Sequence, residues 1–298
     1  MTTGFGNRYS IHLSYGIIVN HQNMPHIIAK IFIPATKIAK IYRKFIEEHN
    51  DMDFDLRLAF RGIRALYGND GFEKLQKSHV TVIGVGGIGS WATEALCRTA
   101  IGSLTLIDND TIEITNSNRQ LHTTSKTVGL GKARVLADRL LEINPLLNIE
   151  VIETKLTPEN IDEILEGKTD YVCDCIDDID AKAYVCNYLF RHNAKFIVAG
   201  GAGGRRDPSK LKIGDINTAN GDALISKLRA RLRKDYGFQS NNKKFNISCT
   251  FSNEKPIYSS KEDYLTGDLP AFGASMSVTA SAGLLISSWI INKITSQN

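Results

Sequence analysis

The stretch VTVIGVGGIGSWATEAL, Val80 to Leu96, decides the fold. A β-branched apolar run ends in a loop with four glycines, and a helical pattern follows it. Glycine permits the tight turn in such a loop, and the backbone N–H groups at the helix N-terminus attract phosphate oxygens. The loop glycines are Gly84, Gly86, Gly87 and Gly89. The stretch predicts a nucleotide site, and on its own it suits NAD and ATP equally.

Apolar strands and amphipathic helices alternate from this stretch to residue 201. Strands are predicted at 80–84, 103–108, 148–154, 169–177 and 194–201. The alternation is typical of an α/β protein with a doubly wound, mostly parallel sheet of the Rossmann type. We expect a mixed C-terminal extension after it. Ligands of such sheets bind outside the carboxyl ends of the strands, so the residues after each strand are the candidate site residues.

Composition narrows the class of protein. With 298 residues, 42% hydrophobic and 23% charged, the chain is expected to fold rather than stay disordered. Five irregularly spaced cysteines without a CxxC pair indicate reduced thiols in a cytoplasmic protein and disfavour a four-cysteine zinc site.

No charged residue occurs from Ala271 to Asn292, but Ser, Thr, Ala and Gly are frequent there. This composition favours a buried C-terminal helix over a membrane anchor.

Two domains are predicted, an N-terminal extension of unknown role at 1–51 and a nucleotide-binding domain at 52–298. Three interpretations of the extension stay open. It could form a strand followed by an amphipathic helix, it could be a targeting leader, or it could lie upstream of a translation start at Met52. We assign it no chemistry.

The residues after the second strand favour ATP over NAD. Asp108 ends that strand where a carboxylate holds ribose hydroxyls, with Asp110 close behind, although a turn or capping role for Asp108 stays open. A polar loop with Asn116 and Arg119 follows, and Lys132 begins the next helix. NAD is bound intact, whereas cleavage of ATP builds negative charge that cations must stabilise.

Carboxylates also follow the fourth strand, in DCIDDID. Asp174 and Asp177 come directly after its apolar residues, and Asp178 or Asp180 suits the N-cap of the next helix. Mg²⁺ prefers one or two carboxylates together with phosphate oxygens. Asp177 is therefore the predicted Mg²⁺ ligand.

The order of these motifs resembles the adenylyltransferases related to ubiquitin-activating enzymes. The shared stretches are VIGVGGIGS, LIDND, TNSNRQ, GKA and DCIDD. Longer stretches resemble the tRNA threonylcarbamoyladenosine dehydratase family, namely FRGIRALYG, GIGSLTLIDND, TNSNRQLH, GGAGGRRDPSKLKIGDI and KLRARLRKDYGF. The resemblance extends over most of the chain after residue 55.

The resemblance implies an ATP-dependent enzyme that closes the threonylcarbamoyl group of a tRNA adenosine into a ring through an acyl-adenylate. Gly86 would lie under ATP, and Asp108 would hold the ribose. The phosphates and Mg²⁺ would be held by Asn116, Arg119, Lys132 and Asp177. A homodimer is also implied, in which an arginine before the first strand reaches the partner's site. The family's Arg-Phe-Gly-Gly sequence is replaced by Ala59-Phe60-Arg61-Gly62 in this chain. Arg61 or Arg64 is therefore the candidate for the arginine that reaches the partner's site.

Positive charge is concentrated in residues 201–250, the predicted tRNA-contact region. Eleven Lys or Arg oppose four Asp between Gly201 and Lys244, a net charge of +7 against +4 for the chain. Residues 222–238 predict a basic helix capped near Asp222, with Leu224, Ile225, Leu228 and Leu232 toward the core and the basic residues facing out. Its basic outer face could bind a phosphate backbone. Binding to an anionic membrane surface, or simple exposure to solvent, would explain the same pattern.

Other functions stay open at this point. The same ATP site would serve adenylation of the C-terminus of a ubiquitin-like sulfur carrier, with a sulfur-transfer protein as partner. Cys249 could then carry sulfur, although a single such cysteine is more often a small apolar core residue. An NAD-dependent dehydrogenase would not need Arg119 or Lys132. A non-catalytic RNA-binding module would bind tRNA without regard to ATP.

Overall fold

A sheet of seven strands organises the described part of the chain, which is residues 54–239, 244–267 and 269–296 of a computed structural model. The strands are β1 (His79–Ile83), β2 (Ser103–Ile107), β3 (Asn148–Ile152), β4 (Tyr171–Asp174), β5 (Lys195–Ala199), β6 (Leu211–Asp215) and β7 (Ser248–Ser252). The predictions for residues 1–51, and for a start at Met52, lie outside the described residues.

Helices connect and cover these strands. They are α1 (Leu56–Ala59), α2 (Arg61–Lys77), α3 (Gly89–Arg98), α4 (Lys132–Ile143), α5 (Ile161–Leu165), α6 (Ile179–Arg191), α7 (Ala223–Tyr236), α8 (Lys261–Thr266) and α9 (Met276–Thr295). Short 3-10 turns occur at Ile114–Asn116 and Pro208–Lys210.

The strand order is β3-β2-β1-β4-β5-β7-β6, and every pairing is parallel except that of β6 with β7. The order reverses between β1 and β4, whose ends meet where Ile83 pairs with Asp174. Ligands of doubly wound sheets bind outside such a reversal point. The predicted fold class is confirmed, and the antiparallel pair is the mixed extension.

Two apolar clusters cover the two faces of the sheet. One includes Leu75 of α2, Leu96 of α3, Leu136 of α4 and Ile286 of α9. The other contains side chains from α5, α6 and α7, including Leu165, Leu189 and Leu228. With helices on both faces, consecutive residues of the central strands are buried, rather than every second residue.

Two local sequence patterns predict more than the structure shows. The spacing of apolar residues in LGKARVLADRLLEIN predicts Leu130 and Leu141 on the buried face of a helix, but they are 51% and 37% exposed. Leu130 precedes the helix, which begins at Lys132, and Leu136 is buried instead. The stretch TPENIDEILEG predicts a helix with Thr157 at its N-cap, but α5 begins only at Ile161, with Asn160 at its N-cap position.

The uncharged C-terminal segment forms α9, which packs against α3 and α2. Gly283 makes the approach to α3 close, since a Cβ there would lie 2.5 Å from the carbonyl oxygen of Ile88 and 2.8 Å from Ala92 N. The predicted buried helix is confirmed. A search of the described helices found none with the length and apolarity that a membrane crossing needs.

We expect Gly283→Val to lower the free energy of unfolding by about 2–3 kcal/mol, because backbone atoms of α3 leave no room for the added carbons. Urea unfolding measures the change. Leu284→Val is the matched control, since Leu284 is 52% exposed on the same helix and its replacement should cost under about 1 kcal/mol. Equal losses in the two variants would contradict the close helix crossing.

Candidate active site

The glycine loop joins β1 to α3 at the reversal point of the sheet. Gly84 has a φ of +83°, and a Cβ there would lie 3.0 Å from the carbonyl carbon of Cys175. A Cβ on Gly89 would collide with the carbonyl oxygen of Gly84. Gly86 is more open, with the Gln120 amide nitrogen 3.8 Å from the position of its missing Cβ. Gly84 and Gly89 are therefore sterically required, whereas Gly86 leaves room for a ligand to approach the backbone.

Asp108 follows β2 and accepts two backbone hydrogen bonds beside this loop. Val85 N donates to its Oδ2 at 2.8 Å, and Asp110 N donates to its Oδ1 at 2.9 Å. Burial raises the pKa of the Asp108 carboxyl, and these backbone donors partly offset the rise. The carboxylate is thus fixed against the glycine loop, where the sequence predicted it.

Lys132 lies at the start of α4 with its side chain only 9% exposed. Its Nζ donates to Asp110 Oδ2 at 2.7 Å, and its backbone N donates to Asp110 O at 3.0 Å. The Asp110 side chain is 61% exposed, so it lies between the ammonium and solvent. The sequence predicted both residues in the nucleotide site, and the structure adds their direct ion pair.

Arg119 also reaches the glycine loop. Its Cγ lies 3.3 Å from where a Cβ on Gly87 would be, and its Nη1 donates to Thr115 O at 3.0 Å and Asn118 Oδ1 at 2.9 Å. The indole of Trp91, on α3, donates to Arg119 O at 3.0 Å. The arginine stem thereby lies over the loop, the residue as a whole is half-buried, and its guanidinium group makes its two hydrogen bonds near the surface.

Asn116 is buried in the 3-10 turn before Arg119. Its Oδ1 accepts a hydrogen bond of 3.0 Å from Glu113 N and so closes the turn. The structure shows this loop-forming bond, which the sequence did not predict. A phosphate contact by Asn116 would have to come from its amide nitrogen.

Asp177 is exposed in the loop between β4 and α6. Asp178 caps α6 by accepting from Ala181 N at 2.8 Å, as predicted, and Asp180 pairs with Arg231. Within the residues described, no group of three or more His, Cys, Asp or Glu forms a metal cluster. One exposed carboxylate at the edge of a phosphate site fits Mg²⁺, which takes its other ligands from phosphate and water.

Asp174 is not at this surface. Its side chain and that of Lys182 are fully buried, and Lys182 Nζ donates to Asp174 Oδ1 at 2.9 Å and to Asp174 O at 3.3 Å. Burial raises the pKa of the Asp174 carboxyl, and the lysine opposes the rise. Because Asp174 pairs with Ile83, the residue before Gly84, the ion pair lies directly beneath the loop.

Arg61 begins α2 with an exposed side chain. Arg64 is partly buried instead, with Nη2 donating to Asn69 Oδ1 at 3.0 Å and its guanidinium 6.0 Å from the centre of the Phe72 ring. Of the two candidates for a residue that reaches a partner, Arg61 is the one presented to solvent.

A model of the ThiF family matches residues 60–295. This chain belongs to the ThiF family. The curated tRNA threonylcarbamoyladenosine dehydratase of Escherichia coli (strain K12) is 37% identical over 251 residues, or 80% of this chain and 94% of that protein. The Haemophilus influenzae protein of the same name is 40% identical over 241 residues, or 79% and 92% of the two chains.

A solved structure shares the fold of this ThiF-family chain. It is the E. coli tRNA N6-threonylcarbamoyladenosine dehydratase in complex with ATP, with a TM-score of 0.75 at 37% identity. The match covers 81% of this chain and 96% of that one. The resemblance predicted from the motifs is confirmed.

The basic region of this ThiF-family chain is only partly directed outward. As predicted, α7 is capped by Asp222 and buries Ile225, Leu228 and Leu232. Three arginines of α7, predicted to face out, are instead held by the protein, as is Arg205 in the loop after β5. Arg205 is buried against Asp222, Arg229 donates to the carbonyls of Asn217 and Ala219, Arg231 pairs with Asp180 and Asp235, and Arg233 donates to Asn217. The cations that stay exposed are Arg206, Lys210, Lys212, Lys227, Lys234 and Lys244.

Cysteine chemistry is disfavoured. All five cysteines lie in the described part and are free thiols. Burial raises the pKa of Cys249, the one candidate sulfur carrier, to about 12. Its thiolate form is therefore scarce at neutral pH, and its side chain packs as a small apolar group.

His122 was not singled out from the sequence, where it is one histidine in a polar loop. It is 2% exposed, and neither ring nitrogen has a hydrogen-bond partner among the described residues. Burial, followed by the charge of Lys132, lowers the pKa of His122 to about 4 from 6.5. The ring is therefore neutral and packed behind the Lys132 ammonium group.

This burial predicts a pH dependence of stability. Because the pKa of His122 is lower in the folded state, the unfolded chain binds more protons between pH 6.5 and about 4. Stability should thus fall as pH drops through that interval, and this part of the fall should be absent in His122→Gln. Urea unfolding of both proteins at several pH values measures it. Parallel pH profiles for the two would contradict a buried neutral His122.

Proposed function

We propose that this ThiF-family protein is an ATP-dependent tRNA threonylcarbamoyladenosine dehydratase. It converts the threonylcarbamoyl group on the adenosine beside the anticodon into its cyclic form. The observation that carries the proposal is the convergence of Arg119 and Lys132 on a glycine loop, because these cations suit a triphosphate that is cleaved. The full-length similarity to dehydratases of that name supplies the substrate class.

ATP binds across the reversal point of the sheet. Backbone N–H groups of the glycine loop and the N-terminus of α3 face the phosphates, and Gly86 gives them room. The Asp108 carboxylate, already held by Val85 N and Asp110 N, uses its remaining lone pairs for the ribose hydroxyls. On this proposal, Lys132 leaves Asp110 for the phosphates when ATP binds.

Activation of the substrate carboxylate is the first chemical step. The free carboxylate of the threonyl moiety attacks the α-phosphate of ATP, and pyrophosphate leaves. Lys132 and Arg119 stabilise the charge that builds on the phosphate oxygens. Asp177 would hold Mg²⁺, which supplies further charge neutralisation when bound. The product is an acyl-adenylate, whose AMP is a far better leaving group than oxide.

Ring closure follows within the same substrate. The carbamoyl nitrogen or oxygen attacks the activated carbonyl, a carbamoyl N–H group loses its proton, and AMP leaves with one of the original carboxylate oxygens. The tethered nucleophile has a high effective concentration, so the enzyme does not need a nucleophile of its own. This fits the five cysteines, four of which are buried and one of which, Cys175, is partly buried. The overall change in the nucleoside is the loss of one water.

Partners are part of the proposal. The exposed cations of the 201–250 region contact the tRNA backbone, and a homodimer brings Arg61 to the partner's ATP site. The other candidate, adenylation of a ubiquitin-like carrier with a sulfur-transfer protein, uses the same ATP site. It gives no reason for the excess of cations in this region.

The dependence of pyrophosphate release on the acceptor tests the proposal. The protein is incubated with ATP and Mg²⁺ and either tRNA that carries threonylcarbamoyladenosine, the same tRNA without the modification, or a sulfur-carrier protein. Release only with the modified tRNA is expected. Release only with the carrier protein would establish the alternative, and ATP-independent binding of both tRNAs without turnover would indicate a binding module.

A further inference from the structure

Exposed apolar side chains are concentrated between β7 and α9, in residues 255–267 and 269–276. Seven of them are at least 46% exposed, namely Ile257, Tyr258, Tyr264, Leu265, Leu269, Phe272 and Met276. Large exposed apolar patches mark surfaces that bind something. We call the segment made of residues 255–267 and 269–276 the 255–276 strap.

The strap is fastened beside the proposed ATP site. Asn118 Nδ2, next to Arg119, donates to Ala274 O at 2.8 Å. Gly204, in the loop after β5, donates to Gly273 O at 2.7 Å and accepts from Ile257 N at 2.7 Å. Both ends of the strap are therefore held at the carboxyl edge of the sheet, where the reacting carboxylate must arrive.

Two aromatic rings of the strap form a fixed pair. Tyr258 and Phe272 meet edge to face, with ring centres 6.1 Å apart and planes at 73°. The Phe272 ring lies on Gly203, where any Cβ would collide with it. The rings stay 62% and 48% exposed. The edge-to-face contact and Gly203 cover part of the two rings, and the surface that stays exposed is available for a further planar group to stack.

Two exposed cations lie close along the chain to the residues that hold this pair, whereas the acidic residues Glu262 and Asp263 lie further along the strap, on α8. Arg206 and Lys255 are exposed and adjoin the Gly204–Ile257 hydrogen bonds that hold the pair. The carboxylate of Glu254 is engaged by the backbone N–H groups of Arg206 and Asp207. Aromatic faces with neighbouring cations are the usual means by which proteins hold unpaired RNA bases.

We propose that Tyr258 and Phe272 are a stacking platform for an unpaired base of the anticodon loop of the tRNA substrate. The inference rests on the proposed function. An enzyme that modifies a nucleoside must hold it out of its base stack, and neighbouring bases lose stacking partners when it does so. The platform replaces one such partner and sets the modified adenosine at the ATP site.

The test compares Tyr258→Leu, which removes the ring, with Tyr258→Phe, which keeps it. Loss of one stacked base should raise the KM for modified tRNA about five- to a hundredfold in the leucine variant. The KM for ATP should stay at the wild-type value, and Tyr258→Phe should behave as wild type. Phe272→Leu is a second variant with the same expected effect. Tyr188→Leu, on α6 and away from the strap, is the matched control.

Equilibrium binding of an anticodon stem-loop RNA, followed by fluorescence, gives a second readout without turnover. An unchanged RNA affinity and tRNA KM in Tyr258→Leu would overturn the platform while leaving the proposed function intact. A change in the oligomeric mass of Tyr258→Leu would also overturn the platform, because it would mean that the strap binds a second copy of the chain. A wild-type protein that binds the RNA through Tyr258 but never turns it over would defeat only the proposed function.

Discussion

Lys132→Ala is expected to lower the turnover number by about 10²- to 10³-fold, the usual cost of removing one donor that stabilises transition-state charge. The Lys132 ammonium group is nearly buried and held by Asp110, and its charge acts on Asp108, the carboxylate that is hydrogen-bonded to the glycine loop. No neighbouring lysine replaces it on α4, whose remaining cations are Arg134 and Arg139. Pyrophosphate release at saturating tRNA measures the loss.

Binding of modified tRNA should be unchanged in Lys132→Ala, because Lys132 is not part of the proposed tRNA-contact region at 201–250. Lys126→Ala is the matched control, since Lys126 is exposed in the preceding loop and should keep wild-type turnover. Turnover of Lys132→Ala within about threefold of wild type would mean that the phosphates lie elsewhere.

Lys182→Met is expected to lower the free energy of unfolding by about 3–5 kcal/mol, because it leaves the Asp174 carboxylate buried without its cation. Both side chains of this pair are fully buried, and the lysine also bonds Asp174 O. Urea unfolding of the protein without ligands measures the loss.

The double variant Asp174→Asn with Lys182→Met separates charge from packing. It removes both charges and should regain much of the stability that the single variant loses. If Lys182→Met alone lowers the free energy of unfolding by less than about 1 kcal/mol, the buried ion pair is not what holds the end of β4 beneath the glycine loop.

Much of the fold followed from the sequence because local patterns and tertiary contacts agree. The Val80–Leu96 stretch predicted a strand, a loop and a helix, and Gly84 and Gly89 are sterically required there. Asp178 and Asp222 cap helices as predicted, since short polar side chains accept N-terminal N–H groups well.

The parts that sequence did not predict involve polar groups used inside the protein. Lys182 has the pattern of a solvent-facing residue on an amphipathic helix, yet it is fully buried by its pairing with Asp174. Arg205 looked like one of many surface cations, but Asp222 holds it in the interior. Such pairs join residues of different elements of the fold, such as Asp174 of β4 and Lys182 of α6, so periodicity and composition carry no signal for them.

The mass of the tRNA nucleoside tests the central claim most directly. Modified tRNA is incubated with the protein, ATP and Mg²⁺, digested to nucleosides, and the threonylcarbamoyladenosine is weighed by mass spectrometry. We expect a nucleoside lighter by one water, formed together with AMP and pyrophosphate. An unchanged nucleoside mass while ATP is converted to AMP would contradict the proposed cyclisation.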